Sequence, residues 1–276
     1  MNEKIRYSII VVCLNAGERL YDTIQSIRNQ KYPFFEIVIK DGGSTDGAIQ
    51  KIEKDFCDER ICIYTKKDTG IYDAMNQAVK LAKEDYYLFL NAGDTFYDNQ
   101  VLNKITDEIE KRNAKKEHVD ILYGNMHHKT LNTVIYASPE INDFTCYRNI
   151  PCHQTCFYHK KLFEERGYYP KYNVRADYEH FLWCYYEMNA NIQYVPVIIA
   201  SYEGGGYSET KENKKRSACQ HREIVVHYMG KKRANYYRFL MLLTMAPLRS
   251  AIAQNKQLSG IYNWLKRGIY RRNVQE

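Results

Sequence analysis

The sequence predicts an α/β fold in which a mostly parallel central sheet is flanked by helices. Strand-like and helix-like segments alternate four times between Tyr7 and Leu90, an order that calls for parallel strands joined by crossover helices. The first strand-like segment, YSIIVVCL, is a continuous run rich in β-branched residues, which is typical of a strand buried on both faces. Glycine and polar residues follow these runs, and such strand ends form the ligand-binding edge of parallel sheets.

Each element of the first half follows from a local pattern. Leu20, Ile24 and Ile27 recur at helical spacing and predict the first helix. The segment 49–56 has the same periodicity and predicts the second helix. The predicted strands are 7–14, 35–40, 61–65 and 86–90, and the third helix is 72–82.

The second half is patterned less regularly. A helix is predicted after Asp177, because Phe181, Leu182, Tyr185 and Met188 trace one helical face. The last predicted strand is 192–200, and the glycine-rich stretch 202–208 follows it. That stretch has two interpretations: a loop that closes over a bound nucleotide, or a flexible linker.

Four polar clusters follow the predicted strands, at Asn15 and in the segments 41–46, 68–70 and 91–94. Turn chemistry alone would place Gly and Asp at any one of them, but four clusters at one sheet edge predict a ligand site. The dinucleotide fingerprint Gly-x-Gly-x-x-Gly and the phosphate-loop motif Gly-x-x-x-x-Gly-Lys-Ser/Thr are both missing from the sequence. This disfavours nicotinamide or flavin enzymes and P-loop nucleotidases.

The uneven distribution of charge divides the chain into an acidic N-terminal part, which contains the candidate site residues, and a basic C-terminal tail. The formal net charge is +7, yet residues 211–276 contain fifteen Lys and Arg and three acids, whereas residues 1–210 contain twenty-five basic and thirty acidic residues. We therefore predict a domain at 1–210 and a basic helical C-terminal extension at 211–276, whose partner is an anionic surface. The N-terminus does not resemble a signal peptide, and the eight cysteines do not form a disulfide framework, so a cytoplasmic location is expected.

Three blocks of sequence carry a family resemblance: YSIIVVCLNAGERL, IVIKDGGSTDG and DTGIYDAMNQAVKLAKEDYYLFLNAGD. Their order and spacing resemble the nucleotide-sugar half of the family 2 inverting glycosyltransferases, which have the GT-A fold. CHQTCFY and RADYEHFL resemble the acceptor half of the same family. The resemblance implies a nucleotide-sugar-binding half at 1–125 and an acceptor half at 126–210. It also implies transfer from a nucleotide-diphosphate sugar, with a UDP-sugar favoured, to a hydroxyl of a glycan or lipid-linked acceptor in cell-surface polysaccharide synthesis.

The resemblance also assigns site residues. Those expected to border the nucleotide sugar are Asn15, Asp41, Asp68, Asp73, Asn76 and Asn91. Asp94 matches the metal-coordinating acid of the Asp-x-Asp element, with Mg²⁺ or Mn²⁺ as the expected cofactor. Asn91 and Gly93 stand where acids are common, so one carboxylate would hold the metal together with the diphosphate. Asp94 taken alone has a second interpretation, as the cap of a helix near Asp98.

The resemblance makes Asp177 the catalytic base that deprotonates the acceptor hydroxyl. Glu179 is the nearest competitor for this role, and a helix N-cap is the structural alternative for Asp177. His153 and Gln154 are expected to line the donor-sugar or acceptor groove.

The basic tail has two open interpretations. Its segment 239–248 is apolar, flanked by arginines and too short to span a bilayer. We predict attachment to the inner face of the plasma membrane through this extension; the alternative is packing on the domain or on a second subunit of a homo-oligomer. No nucleic-acid partner is expected, because no recognised binding motif accompanies the charge. A non-catalytic sugar-binding protein that retains the GT-A fold is the alternative function.

Overall fold

A computed structural model describes residues 4–204 and 210–243 of the chain. Contacts divide the chain into two compact units, Met1–Ile224 and Val225–Glu276. The predicted boundary at 210/211 stays a prediction. Contacts within the first unit continue past it, because Ser217 and Gln220 hydrogen-bond to Arg175 and to the Val174 backbone.

The first half of the sheet is parallel. Its strands lie in the order β3, β2, β1, β4, and every neighbouring pair is parallel. The strands are β1 (Tyr7–Cys13), β2 (Phe35–Asp41), β3 (Ile61–Thr65) and β4 (Tyr86–Phe89). The crossover helices are α1 (Glu18–Arg28), α2 (Ala48–Asp55) and α3 (Ile71–Val79). The alternation read from the sequence is therefore present, with bounds that differ by three residues at most.

The second half of the sheet is mixed. The order continues β8, β6, β9, β5; β6 pairs with β9 in parallel, while β4 and β6 each pair with β8 in antiparallel fashion. Its strands are β5 (Thr95–Phe96), β6 (Ile121–His128), β7 (Thr133–Ile135), β8 (Cys156–His159) and β9 (Ile192–Tyr202). Only the first half of the sheet is therefore parallel throughout, because β8 runs antiparallel to both of its neighbours and β5 runs antiparallel to β9.

Helices and one 3-10 turn complete the first unit. They are α4 (Val101–Ala114), α5 (Asp143–Arg148), the turn His153–Thr155, α6 (Lys161–Glu165) and α7 (Ala176–Tyr186). The first strand is fully buried, as its apolar run predicts, and its side chains pack in one core with α1 and α4. All eight cysteines are free thiols.

The basic extension is helical where the structure describes it. Helix α8 runs over Lys211–Leu243 and is interrupted at Gly230, where φ is 77°. Residues 244–248 of the predicted apolar segment and residues 205–208 of the glycine-rich stretch lie outside the described residues. Within the described ranges, no helix combines the length and the apolar character that a membrane span requires.

Candidate active site

The segment 91–94 forms a tight turn between β4 and β5. Thr23 of α1 holds this turn, because its hydroxyl accepts the Gly93 N–H and donates to the Asp94 carbonyl. Gly93 has φ of +107°, and a Cβ there would approach the Glu203 Oε2 at 2.9 Å. An acid at position 93 would therefore be strained and crowded. Helix α4 begins at Val101 with Gln100 as its N-cap, so Asp94 does not cap it.

Asp94 is a buried carboxylate, only 5% exposed. One oxygen accepts the Gln154 amide at 2.9 Å, and the other accepts the Glu203 backbone N–H at 3.4 Å. Burial raises the pKa of Asp94, and these donors together with nearby positive charge reduce that increase. Asp94 therefore gives the sheet edge a negative charge held by neutral donors.

Asp177 lies in the first turn of α7, whose N-cap is Arg175. The Tyr72 hydroxyl donates to one of its oxygens at 2.7 Å, and His153 Nδ1 lies 3.2 Å from the other. Burial acts to raise the pKa of Asp177, but the hydrogen bond from His153, the charge interaction with His153 and the hydrogen bond from Tyr72 outweigh it, and the pKa lies below its ordinary value. Asp177 is thus an ionised, oriented carboxylate, and it does not occupy the N-cap position.

The 3-10 turn His153–Thr155 links the two acids. Gln154 donates to Asp94, and its neighbour His153 bonds Asp177 through Nδ1. The other ring nitrogen, Nε2, lies 3.1 Å from the Asn91 Nδ2. The structure therefore brings together five of the residues assigned from the resemblance: Asn91, Asp94, His153, Gln154 and Asp177.

The loop after β2 is organised by Asp41 and Asn15. Asp41 is 1% exposed, and its carboxylate accepts the backbone N–H groups of Gly43 and Ser44 and the Ser44 hydroxyl. Asn15 has φ of 49° and accepts the Thr45 N–H through its side-chain oxygen. Both residues lie at the predicted edge, where their hydrogen bonds fix the loop that would meet a nucleotide.

Lys40 is a site residue that the sequence reasoning missed. It has 0% exposure, and its ammonium donates to the carbonyls of Asp41 and Lys66 and to the Asp68 carboxylate at 3.0 Å. A lysine inside the apolar run of β2 was the signal that could have identified it. Because its three donors meet three acceptors, Lys40 fixes Asp68 at the sheet edge.

Asp73 and Asn76, both on α3, make local contacts. Asp73 accepts the Thr69 N–H at 2.8 Å across the start of the helix, which lowers its pKa. Asn76 forms two hydrogen bonds with the Tyr168 backbone. Their predicted contacts with a nucleotide sugar stay predictions, since both side chains already have structural partners.

Glu179 is bound to a guanidinium. Its two carboxylate oxygens lie 3.0 and 2.9 Å from the Arg166 nitrogens, and the residue is 3% exposed. Asp177 has contacts with a tyrosine and a histidine, whereas Glu179 is engaged by the Arg166 guanidinium. Tyr72 is a further residue that local sequence patterns do not identify, since it is separated from Asp177 by 105 positions.

The donor set at the sheet edge fits a divalent cation. Asp94 is a buried carboxylate, and none of the ion pairs found among the described residues includes it. A buried charge is costly, and charge interactions with His153 and Lys129 offset only part of that cost, so a cation at Asp94 would be stabilising. Groups of three or more His, Cys, Asp or Glu suited to a metal do not occur in the described ranges, so oxygen ligands of the diphosphate would complete the coordination.

Comparisons with known proteins agree with this geometry. The sequence model described as Glycosyl transferase family 2 matches residues 8–173. Proteins named PGL/p-HBAD biosynthesis glycosyltransferase, from Mycobacterium bovis and Mycobacterium tuberculosis, are 35% identical over 212 residues, covering 75% of this chain and 81% of theirs. The Escherichia coli UDP-Glc:alpha-D-GlcNAc-diphosphoundecaprenol beta-1,3-glucosyltransferase WfaP is 33% identical over 150 residues, covering 52% of this chain and 57% of its own.

Solved structures share the fold. S. aureus TarS 1–349 superposes with a TM-score of 0.64 at 19% identity, covering 81% of this chain and 66% of that chain. The mannosyltransferase PcManGT from Pyrobaculum calidifontis, in complex with GDP-Man and Mn²⁺, has a TM-score of 0.62 at 15% identity, covering 95% of this chain and 84% of its own. The GT-A fold expected from the resemblance is confirmed. The chain belongs to glycosyltransferase family 2 and is a glycosyltransferase.

Proposed function

We propose that the chain transfers a sugar from a UDP-sugar, with inversion, to a hydroxyl of a glycan or lipid-linked acceptor in surface-polysaccharide synthesis. The observation that carries the proposal is that one 3-10 turn, His153–Thr155, contacts two carboxylates in different environments, Asp94 and Asp177. Asp94 is buried with a raised pKa, and Asp177 is ionised and oriented by Tyr72 and His153. Asp94 suits the diphosphate end of a donor, and Asp177 suits removal of the proton from the acceptor hydroxyl.

Asp177 supplies the base chemistry. The acceptor oxygen forms a bond to the anomeric carbon while the bond from that carbon to the diphosphate oxygen breaks. The hydroxyl proton passes to Asp177, and the electron pair leaves with the diphosphate. Attack opposite the leaving group inverts the anomeric centre. Tyr72 keeps the carboxylate oriented, and burial raises the pKa of Tyr72 well above its ordinary value, so its hydroxyl remains a donor.

The leaving-group side uses Asp94 and the loop after β2. A bound Mg²⁺ or Mn²⁺ held by Asp94 would supply Lewis-acid neutralisation of the charge on the leaving diphosphate. Gln154 and the Thr23-anchored turn keep Asp94 in place. The loop organised by Asp41 and Asn15 lies at the same edge and suits the base and ribose.

The donor and acceptor classes rest on the relatives. The printed name of the E. coli relative specifies UDP-Glc and a diphosphoundecaprenol-linked acceptor, and another TarS structure is a complex with UDP-GlcNAc. A non-catalytic binding protein has no need of an oriented, ionised Asp177, which favours the enzyme over this alternative.

The test compares two acid substitutions with a panel of UDP-, GDP- and dTDP-sugars in Mg²⁺ or Mn²⁺. We expect Asp177→Asn to lower transfer by about 10²- to 10⁴-fold, the usual contribution of a general base, while calorimetry shows unchanged donor binding. Glu179→Gln, assayed below its melting temperature, should keep the transfer chemistry. Full activity in the Asp177 variant, or failure of every donor, would overturn the proposal.

We also propose that the extension attaches the enzyme to an anionic membrane surface on the cytoplasmic side. The exposed apolar side chains of α8 include Tyr236, Phe239, Leu242 and Leu243. Exposed Lys231 and Lys232 lie on the same helix. Apolar and basic side chains on one helix are the combination that interfacial helices use. A lipid-linked acceptor would be presented at that surface. Packing of this helix against a second subunit is the competing arrangement.

A further inference from the structure

We propose that Asn91 and His153 are positioning residues for Asp177, with Asn91 holding the His153 ring in the tautomer that donates to the Asp177 carboxylate. This inference rests on the proposed role of Asp177 as the base. It gives position 91 a function in base orientation, although that position lies in the segment that was expected to serve the metal and diphosphate.

Three segments meet in this relay. Asn91 belongs to the turn after β4, His153 to the 3-10 turn before β8, and Asp177 to the first turn of α7. The imidazole lies between the other two side chains, with Nε2 at 3.1 Å from Asn91 Nδ2 and Nδ1 at 3.2 Å from Asp177 Oδ2. The His153 side chain is only 14% exposed, so the two neighbours rather than water determine which nitrogen bears the proton.

Proton accounting selects one tautomer. A neutral imidazole has one donor and one acceptor nitrogen. Asp177 is an ionised acceptor, so the proton must be on Nδ1. Nε2 is then an acceptor, and the Asn91 N–H group is the donor that it needs. Rotating the Asn91 amide by half a turn would place its oxygen against Nε2, which would require a proton there and leave the Nδ1 lone pair facing the Asp177 oxygen.

This arrangement depends on an amide at position 91. The Asn91 Oδ1 is buried and has no hydrogen-bond partner among the described residues, so the side chain keeps an unsatisfied acceptor while its donor serves Nε2. An aspartate, with acceptors only, would draw a proton to Nε2. The residue type at 91 therefore controls the donor that orients Asp177.

The first experiment measures the tautomer directly in the full-length, substrate-free protein. With ¹⁵N-labelled histidine, nitrogen chemical shifts distinguish a protonated from a bare ring nitrogen, and the signals missing in His153→Gln assign His153 among the eight histidines. We expect a protonated Nδ1 and a bare Nε2 in the wild type, and a protonated Nε2 in Asn91→Asp. A bare Nδ1 in the wild type, or a bare Nε2 in the variant, would overturn the inference.

The second experiment uses a matched pair at position 153. An asparagine side chain places its N–H near the position of Nδ1, whereas glutamine places it near Nε2. We expect His153→Gln to lower kcat by about 10- to 100-fold with little change in the donor KM, because a charge-assisted hydrogen bond to the base is lost. His153→Asn should recover much of that loss. Equal activity of the two variants, or a loss confined to KM, would contradict a positioning role.

The pH profile gives a further readout. Removing His153 raises the pKa of Asp177, so the acid limb of kcat should move to higher pH in His153→Gln and move less in His153→Asn, which restores the hydrogen bond but not the charge interaction. Six buried titratable groups around Asp177 are neutral in this range: burial raises the pKa of Cys152 to about 12, raises those of Tyr72, Cys156, Tyr158 and Tyr168 well above their ordinary values, and lowers that of His180 to about 3. Arg175 and Glu179 lie on the same helix as Asp177, and Glu179 is paired with Arg166. An unmoved acid limb in His153→Gln would contradict the inference.

Different results would contradict the two proposals, the role of Asp177 as the base and the positioning role of Asn91 and His153. If Asp177→Asn retains activity, the base assignment falls while the tautomer measurement still reports on Asn91. If Asp177→Asn is inactive and the two His153 variants are equivalent, the base assignment stands and the positioning role falls.

Discussion

Lys40 combines a full charge with complete burial in the strand that leads to the predicted nucleotide site. Its ammonium reaches two carbonyls and the Asp68 carboxylate, and the ion pair with Asp68 measures 3.0 Å. A buried ion pair of this kind is not evidence of net stabilisation, since desolvation offsets the attraction. Removing one partner is destabilising, because the remaining charge stays buried without an opposite charge beside it.

Replacing Lys40 by Met should therefore destabilise the chain by about 3 to 5 kcal/mol, the usual cost of breaking a buried pair. Lys51→Met is the matched control, because Lys51 pairs with Glu18 at the surface, where solvent screens the attraction between the two charges. Urea unfolding measures both variants. Equal losses in the two would show that burial of Lys40 carries no special cost.

The burial of Asp94 leads to a prediction about how the stability of the metal-free protein depends on pH. Burial raises its pKa in the folded state, so the unfolded chain loses that proton first and stability decreases as pH rises from the unfolded to the folded pKa. Asp94→Asn lacks this penalty. In EDTA at neutral pH the variant should therefore be more stable and melt at a higher temperature than the wild type, and the difference should vanish below the pKa of the unfolded state.

Thermal melts across pH test this, with Asp177 unchanged in both proteins. Adding Mn²⁺ and UDP should then raise the Tm of the wild type more than that of the variant, because ligand that binds the folded state stabilises it by mass action. A variant that is less stable in EDTA at every pH would contradict the assigned electrostatics of Asp94.

At the scale of elements, the pairing of β6 with β9 determines how the second half of the sheet reaches the site. Tyr123 pairs with Tyr194 and Asn125 with Ile198, so β9 contains two extra residues opposite Gly124. Pro196 lies in this bulge, where a strand tolerates a missing N–H. The bulge changes the register of the strand whose end places Glu203 beside Asp94.

Gly124 is required by this bulge, since an added Cβ would lie 2.4 Å from the Val197 carbonyl oxygen. Backbone cannot move aside cheaply, and we expect Gly124→Ala to cost about 3 kcal/mol, in the range of severe overpacking. Gly42→Ala is the comparison: its Cβ would meet the Asp68 Oδ2 at 2.9 Å, the end of a side chain that can shift, although the shift would weaken its ion pair with Lys40.

Chemical denaturation and calorimetric titration with UDP separate these outcomes. The Gly124 variant should lose more stability than the Gly42 variant, whereas the Gly42 variant, in which Asp68 is displaced from Lys40, should bind UDP more weakly. A stable Gly124 variant would show that the bulge can relax.

The sequence could predict the parallel half of the sheet and many of the candidate site residues. It could not predict which side chains of the site contact one another. Crossover helices and strands leave local periodicities, so β1 to β4 and the strand-end residues were accessible. The contact of Tyr72 with Asp177 and that of Asn91 with His153 join positions far apart in the chain, and no local pattern encodes them. The register of β9 was equally inaccessible, because bulges depend on the partner strand.

At the scale of the whole molecule, the charge asymmetry predicts how the enzyme finds its acceptor. A basic residue near an anionic membrane contributes about 1 kcal/mol of binding free energy. Neutralising Lys231, Lys232 and Arg238 to glutamine should therefore weaken binding to phosphatidylserine vesicles on the order of 10²-fold. The control triple variant changes the exposed Lys54, Lys83 and Lys115, which alters net charge equally.

Vesicle sedimentation measures membrane binding of both variants. The dependence of this binding on salt separates its electrostatic contribution from its apolar contribution. Because the screening length falls from about 8 Å at 0.15 M to about 3 Å at 1 M, high salt should release the wild type to the level of the first variant but not abolish the part due to Phe239 and its apolar neighbours. Neutral vesicles should bind both proteins weakly and equally. A full-length chain that ignores anionic vesicles, and whose molar mass in solution is that of a dimer, would instead assign the apolar face of α8 to a second subunit.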